Sequence, residues 1–191
     1  LGTGVGGGVI VNGKCIDGSN SFGSECGHIL VDSRDDARLC VWQGGRGQLE
    51  AYASASAVTR RMHELLEAGE PSSLHERAGD IALLTALDLA HAADDGDDLS
   101  LRIIAEAGRY LGIGIVTLVH VIDPGMVVLG GAMNFGGEAA PAGRHFLRAV
   151  KDEFQRRAFD VVRDTTEITY AMLGSDAGYI GAAGHARVTC T

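Results

Sequence analysis

The order of elements written into the chain predicts an α/β domain, and three observations carry that reading. Asn12-Gly13 stands between the apolar runs Val9-Ile10-Val11 and Cys15-Ile16. Both turn residues tolerate positive φ, so this is a strong short-range hairpin signal. Residues 49–66, 81–93 and 99–122 carry apolar side chains at helical spacing, and the short runs 126–129 and 168–173 read as strands between helices.

In chain order, Leu49, Tyr52, Ala53, Met62, Leu65 and Leu66 fit a helical stripe in two segments, with Ser54 or Ser56 available to cap the second. Pro71-Ser72-Ser73 breaks the pattern. Helices over 81–93 and 99–122 follow, separated by Asp94-Asp95-Gly96-Asp97-Asp98. That acidic run reads as a solvated loop whose last carboxylates suit the positive end of the next helix, and it lacks the closing Glu of a calcium loop. Asp123-Pro124-Gly125 ends the long helix, and Met126-Val127-Val128-Leu129 is expected to be a short buried strand running into Gly130-Gly131. Phe146, Leu147, Val150 and Phe154 mark another amphipathic helix. A strand over 168–173 and a helix over 177–186, capped by Ser175-Asp176, complete the order.

The 191 residues are 46% hydrophobic, enough for a real core, and carry 16 basic against 25 acidic side chains. A net charge of -9 offers no footprint for phosphate backbones or an anionic membrane, so no nucleic acid and no membrane are expected as partners of this chain. The apolar stretch 111–129 is interrupted by His120, Asp123 and Pro124, which fits a buried helix and strand better than a bilayer span. Cys15, Cys26, Cys40 and Cys190 show no repeated CxxC spacing, which favours a reducing, cytoplasmic setting. The chain opens on Leu1-Gly2-Thr3-Gly4 inside a glycine-rich turn, and further sequence upstream is expected.

Two familiar glycine patterns fail on context. Residues 2–7 satisfy G-x-G-x-x-G, but a hairpin follows where a dinucleotide site needs a helix. Residues 8–14 satisfy G-x-x-x-x-G-K, but Cys15 stands where a metal-binding hydroxyl is required. Clustered glycines still let backbone N–H groups approach an anion, and Thr3 adds a hydroxyl. On this segment alone, a plain chain reversal accounts for them equally well.

Four segments in order change that balance: Leu1-Gly2-Thr3-Gly4-Val5-Gly6-Gly7-Gly8, then Gly23-Ser24-Glu25-Cys26-Gly27-His28, then Gly47-Gln48-Leu49-Glu50, then Val127-Val128-Leu129-Gly130-Gly131. With Leu173-Gly174-Ser175-Asp176-Ala177-Gly178, they make the chain resemble the ROK family of bacterial sugar kinases and sugar-responsive repressors, glucokinase-like members in particular. The resemblance implies an actin/hexokinase-like, ribonuclease-H-like ATPase fold. Residues 1–191 would be mostly its carboxy-terminal lobe as one unit, with the amino-terminal lobe absent. It also implies that Glu25, His28 and Glu50 hold sugar hydroxyls, while Gly2, Thr3 and Gly4 and the Gly130-Gly131 turn contact ATP and its Mg2+. The chemistry agrees, since an ionised carboxylate accepts from two hydroxyls and an imidazole serves a third. Each residue also has a structural account: Glu25 as a solvated loop residue, Glu50 as a helix-start carboxylate, and His28 as a satisfied core histidine.

The chain departs from the family in two places. Members carry a structural zinc on the histidine and a CxCGxxGC cluster, but here Val41, Gln43 and Gln48 stand at the cysteine positions and Cys40 lies one residue out of register. Structural zinc is therefore expected to be lost, with Trp42 packing the loop instead, and no metal ligand is assigned. The family's amino-terminal phosphate motif and its catalytic Asp have no counterpart here, so the base is expected upstream of Leu1. The resemblance thus implies a cytoplasmic, homodimeric, ATP-dependent hexose kinase. A sugar-sensing repressor, or a non-catalytic sugar-binding and dimerisation half, is the alternative.

Overall fold

Asn12 and Gly13 take φ of 51° and 75°, reversing the chain between β1 (Ile10–Val11) and β2 (Lys14–Cys15) in the manner of a tight hairpin turn. The computed structural model describes residues 1–40, 45–77 and 79–189. After a long excursion come α1 (Glu50–Ala53) and α2 (Ala55–Glu67), divided at Ser54. The Ser54 backbone is extended, and its hydroxyl accepts the Ala57 N–H at 3.1 Å, so Ser54 rather than Ser56 is the cap.

A short α3 (Leu74–Arg77) follows, and then the helix expected over 81–93 divides. Residues Ile81–Leu83 form a 3₁₀ turn, and α4 spans Ala86–Asp94. Thr85 causes the break: its hydroxyl accepts from the Asp88 N–H while the Asp88 carboxylate accepts the Thr85 N–H at 2.8 Å, a reciprocal capping box.

The acidic run is a structural hub. Asp97 caps α5 (Asp98–Ile122) by accepting the Ser100 N–H at 2.8 Å, and its other oxygen takes the Ser72 hydroxyl at 2.9 Å and the Ser73 N–H at 2.7 Å. Asp94 accepts the Ala142 N–H at 2.8 Å in the first turn of a later helix, and Asp95 pairs with Arg77. Asp123 closes α5 in the left-handed conformation, φ 51°, before Pro124.

Next come β3 (Met126–Leu129), α6 (Pro141–Arg157), α7 (Asp160–Thr165), β4 (Glu167–Tyr170) and α8 (Ala177–Thr189). Strands β3 and β4 pair in parallel from Met126↔Glu167 to Leu129↔Tyr170. The expectation of a fully buried β3 needs correction. Leu129 is buried, but Met126 and Val128 are 51% and 53% exposed because they alternate onto the face that no described element covers. The second strand ends at Tyr170 rather than 173, and α7 was not foreseen because Val162 is its one buried side chain. Ser175 does not cap α8; it lies in a 3₁₀ turn, Gly174–Asp176, with its hydroxyl on Asp176.

The core lies between α5 and α6, closed by α1, α2 and α4, with Phe146, Phe154, Ile103, Ile104, Met62 and Leu89 fully enclosed. Gly108 and Gly112 let α5 approach α6, since a Cβ at either would stand 2.8 Å from a carbonyl oxygen, of Phe146 and Val150 respectively. Among the described residues α5 is the one helix long and apolar enough to cross a bilayer, but 56% of its apolar window is buried in this core.

Asp97→Ala should lower unfolding stability by about 1–2 kcal/mol near neutral pH, measured by urea denaturation. Burial pushes the Asp97 carboxyl up, but the Ser100 and Ser73 N–H groups outweigh it and hold the group below its ordinary value. Its contribution is therefore present above the unfolded value of about 4 and lost as pH falls through the lower folded value, so the gap between wild type and Asp97→Ala should close in acid.

Candidate functional site

The glycine-rich turn is shaped by close crossings. A Cβ on Gly4 would lie 2.2 Å from Glu50 Oε2, one on Gly7 2.2 Å from Cys26 Sγ, and one on Gly27 2.0 Å from Val5 O. Residues 2–8 therefore press against both the Glu25–His28 segment and Glu50, and at these points a side chain does not fit. The turn sits on the start of α2, where the Ala55 N–H donates to Gly2 O at 2.8 Å and the Ser56 hydroxyl to Thr3 O at 2.9 Å. Thr3 is exposed beside the positive end of this 13-residue helix.

Leu1 joins this turn to the end of β3. Its N donates to Gly130 O at 2.6 Å, and its carbonyl accepts the Met133 N–H at 3.0 Å. Gly131 has φ of 100°, and a Cβ there would lie 2.1 Å from Leu1 O. Gly2, Thr3, Gly4, Gly130 and Gly131 thus share one corner. Beside it opens a cleft of about 270 Å³ between Gly2 and Thr3, Leu87 and Ala90 of α4, and Met133 and Phe135. The apolar walls were not read from the sequence, because the 63% exposure of Leu87 at the start of α4 appears only in the fold.

Glu50 opens α1 and is 7% exposed. Its Oε2 accepts the Val5 N–H at 2.9 Å and its Oε1 the Cys40 thiol at 3.3 Å. A carboxylate has about four lone-pair positions, so both oxygens keep capacity for a ligand hydroxyl.

Glu25 precedes and His28 ends a 3₁₀ turn, Cys26–His28, with His28 Nε2 4.0 Å from Glu25 Oε2. They do not touch Glu50 directly. The link is backbone: Val31 N–H donates to Gly47 O at 2.8 Å and Leu49 N–H to Ile29 O at 2.9 Å. This pairing sets Gln48 beside the histidine, with Gln48 Oε1 3.4 Å from His28 Nδ1. Gly47, at φ 76°, has no alternative residue, since a Cβ would lie 1.8 Å from Asp32 O.

The described side chains do not fit the family's tetrahedral zinc. His28 Nδ1 faces an amide oxygen, and the Cys40 thiol is turned to Glu50. Val41, Trp42 and Gln43, and with them the suggested packing of Trp42, lie outside the described residues. The excursion is held instead by Tyr52, whose hydroxyl donates to Asp32 at 2.7 Å and accepts the Arg38 N–H at 2.9 Å, while its ring stacks on Tyr110 at 3.9 Å. Hydrogen bonds from Arg34, then from Tyr52, hold the Asp32 carboxyl well below the usual range. Burial, then the bond to Asp32, pushes the Tyr52 hydroxyl up to about 12.

The chain is similar to known proteins over most of its length. A family model described as "ROK family" matches residues 1–188. A glucokinase of Halalkalibacterium halodurans is 35% identical over 181 residues, which is 95% of this chain and 52% of the relative. A xylose repressor of Caldicellulosiruptor bescii is 28% identical over 83% of this chain and 37% of its own length. A solved ROK family glucokinase of Streptomyces griseus, in complex with glucose and AMPPNP, superposes with a TM-score of 0.80 at 29% identity, over 98% of this chain and 58% of that one. The chain thus spans between about a third and just over half of these relatives, and its fold is the actin/hexokinase-like one of ROK sugar kinases. By motif order, match length and architecture, the chain belongs to the ROK family.

Proposed function

We propose that this chain supplies the sugar and nucleotide contacts of an ATP-dependent hexose kinase of glucokinase type. The observation that supports it most is the meeting of Glu50 with the glycine turn at Gly4 and Val5, which sets a hydroxyl-gripping carboxylate beside a phosphate-accepting turn. Glu25, His28 and Glu50 would fix the sugar ring. The Thr3 turn and Gly130-Gly131 would seat the nucleotide, with its base in the cleft under Leu87, Met133 and Phe135. Magnesium would enter on the ATP phosphates and neutralise their charge, as it does where no all-protein cage exists. Phosphoryl transfer is mostly positioning and charge neutralisation, and this chain would provide the positioning. The base that takes the hydroxyl proton would come from sequence upstream of Leu1, in a lobe beyond residues 1–191. We read the whole protein as a cytoplasmic homodimer.

A sugar-sensing repressor is the second reading, favoured by the xylose repressor relative. The kinase reading rests on the Thr3-Gly4 turn and on the higher identity to glucokinase, 35% against 28%. A non-catalytic sugar-binding and dimerisation half is the third.

In the complete enzyme, Glu50→Gln should weaken glucose binding by about 1.5–3 kcal/mol in calorimetry while leaving magnesium-ATP binding nearly unchanged. The amide can still accept from the Val5 N–H, so the fold should persist; unaltered sugar affinity would reduce Glu50 to a helix-start residue.

The 191-residue chain by itself should show no phosphorylation of glucose above background in a coupled assay with magnesium-ATP. Turnover near about 1–100 per second would place a base within these residues.

A further inference from the structure

Gln48 stands where the family has a zinc-binding cysteine, and its amide lies against the histidine that such a metal would hold. We propose that Gln48 is a positioning residue that fixes His28 as the tautomer protonated on Nδ1, so that Nε2 meets a sugar hydroxyl as a hydrogen-bond acceptor. This rests on the sugar-site reading above.

A neutral imidazole has one donor and one acceptor nitrogen, and the bond made by one decides the role of the other. Gln48 Oε1 is a carbonyl and can only accept, so at 3.4 Å it calls for the proton on Nδ1. Nε2 then carries a lone pair, 4.0 Å from the carboxylate of Glu25. A metal on Nδ1 would do the reverse, forcing the proton to Nε2 and making the histidine a donor. Replacing a metal ligand by glutamine thus inverts the polarity that His28 shows to a ligand. Two neighbouring acceptors, Nε2 and Glu25, suit two neighbouring hydroxyls that each donate.

The backbone holds both residues in place. Each follows a glycine that no other residue can replace: a Cβ would lie 2.0 Å from Val5 O at Gly27 and 1.8 Å from Asp32 O at Gly47. Leu30 and Gln48 also pair as an antiparallel bridge, so the segments cannot slide past each other without losing it.

Long-range 1H–15N correlation on the labelled protein at about pH 8, where an unperturbed imidazole is neutral, reads the tautomer directly. His28 should show protonated Nδ1 and bare Nε2. Gln48→Glu, which still accepts, should preserve this, and Gln48→Leu should shift the ring towards the Nε2–H form. Glucose should move the wild-type Nε2 resonance and bind about fivefold more weakly to Gln48→Leu, with Gln48→Glu restoring affinity to within about twofold. An Nε2–H tautomer in the wild type overturns the proposal, as does an Nδ1–H tautomer that persists unchanged in Gln48→Leu. If the tautomer is as expected but no resonance responds to glucose, the sugar-site reading falls and takes the acceptor role with it.

Discussion

At the crossing of residues 2–8 over Gly27 and Glu50 there is no space for a side chain on Gly4, Gly7 or Gly27, and the rest of the site depends on that contact. A carboxylate as enclosed as Glu50 is tolerable only where hydrogen bonds replace its water, and the Val5 N–H supplies one because the glycines let the backbone come close. Glu50 and Tyr52 share the single turn of α1, so the helix that aims the carboxylate also stacks Tyr52 on Tyr110 of α5. The site is thereby tied to α5, and through Gly108 and Gly112 to α6.

On the kinase reading, a chain of net charge -9 would seat the ATP phosphates at this crossing. There the Ala55 N–H and the Ser56 hydroxyl hold the carbonyls of Gly2 and Thr3, and the exposed Thr3 stands beside the positive end of α2. Of the two glutamates, Glu50 accepts the Val5 N–H and the Cys40 thiol, and Glu25 Oε2 lies 4.0 Å from His28 Nε2.

Signals confined to a few neighbouring residues were legible in the sequence. Asn12-Gly13 gave the hairpin, a serine divided the two helical segments, and Asp123-Pro124 closed the long helix, because turn and cap chemistry is local. The helix expected at 81–93 failed for a local reason too, since Thr85 and Asp88 form a capping box inside an apolar stripe. The exposure of Met126 and Val128 could not be read, because apolar alternation does not say which face another element covers. The site residues could be listed from the motifs, but their partners could not. Gln48 on His28 follows from the pairing of residues 29–31 with 47–49, and Cys40 on Glu50 from the pairing of 38–40 with 45–47, which no spacing rule announces.

Exchanging a metal site for this network also redistributes how the excursion between residues 29 and 49 is held. A closed zinc site would concentrate about 10–16 kcal/mol of binding free energy at one point, lost all at once when the metal leaves. Here the hold is spread over the Cys40 N–H on Gly45 O at 2.7 Å, the Gly47 N–H on Arg38 O at 2.9 Å, and the Tyr52 hydroxyl between Asp32 and Arg38. Each contributes on the order of 1 kcal/mol net. The Leu49–Ile29 and Val5–Glu50 bonds join the carboxylate to the glycine turn, and the Cys40 thiol on Glu50 Oε1 ties the excursion to it. The bond that brings Glu50 to the turn is thus made by the Val5 backbone and the carboxylate alone.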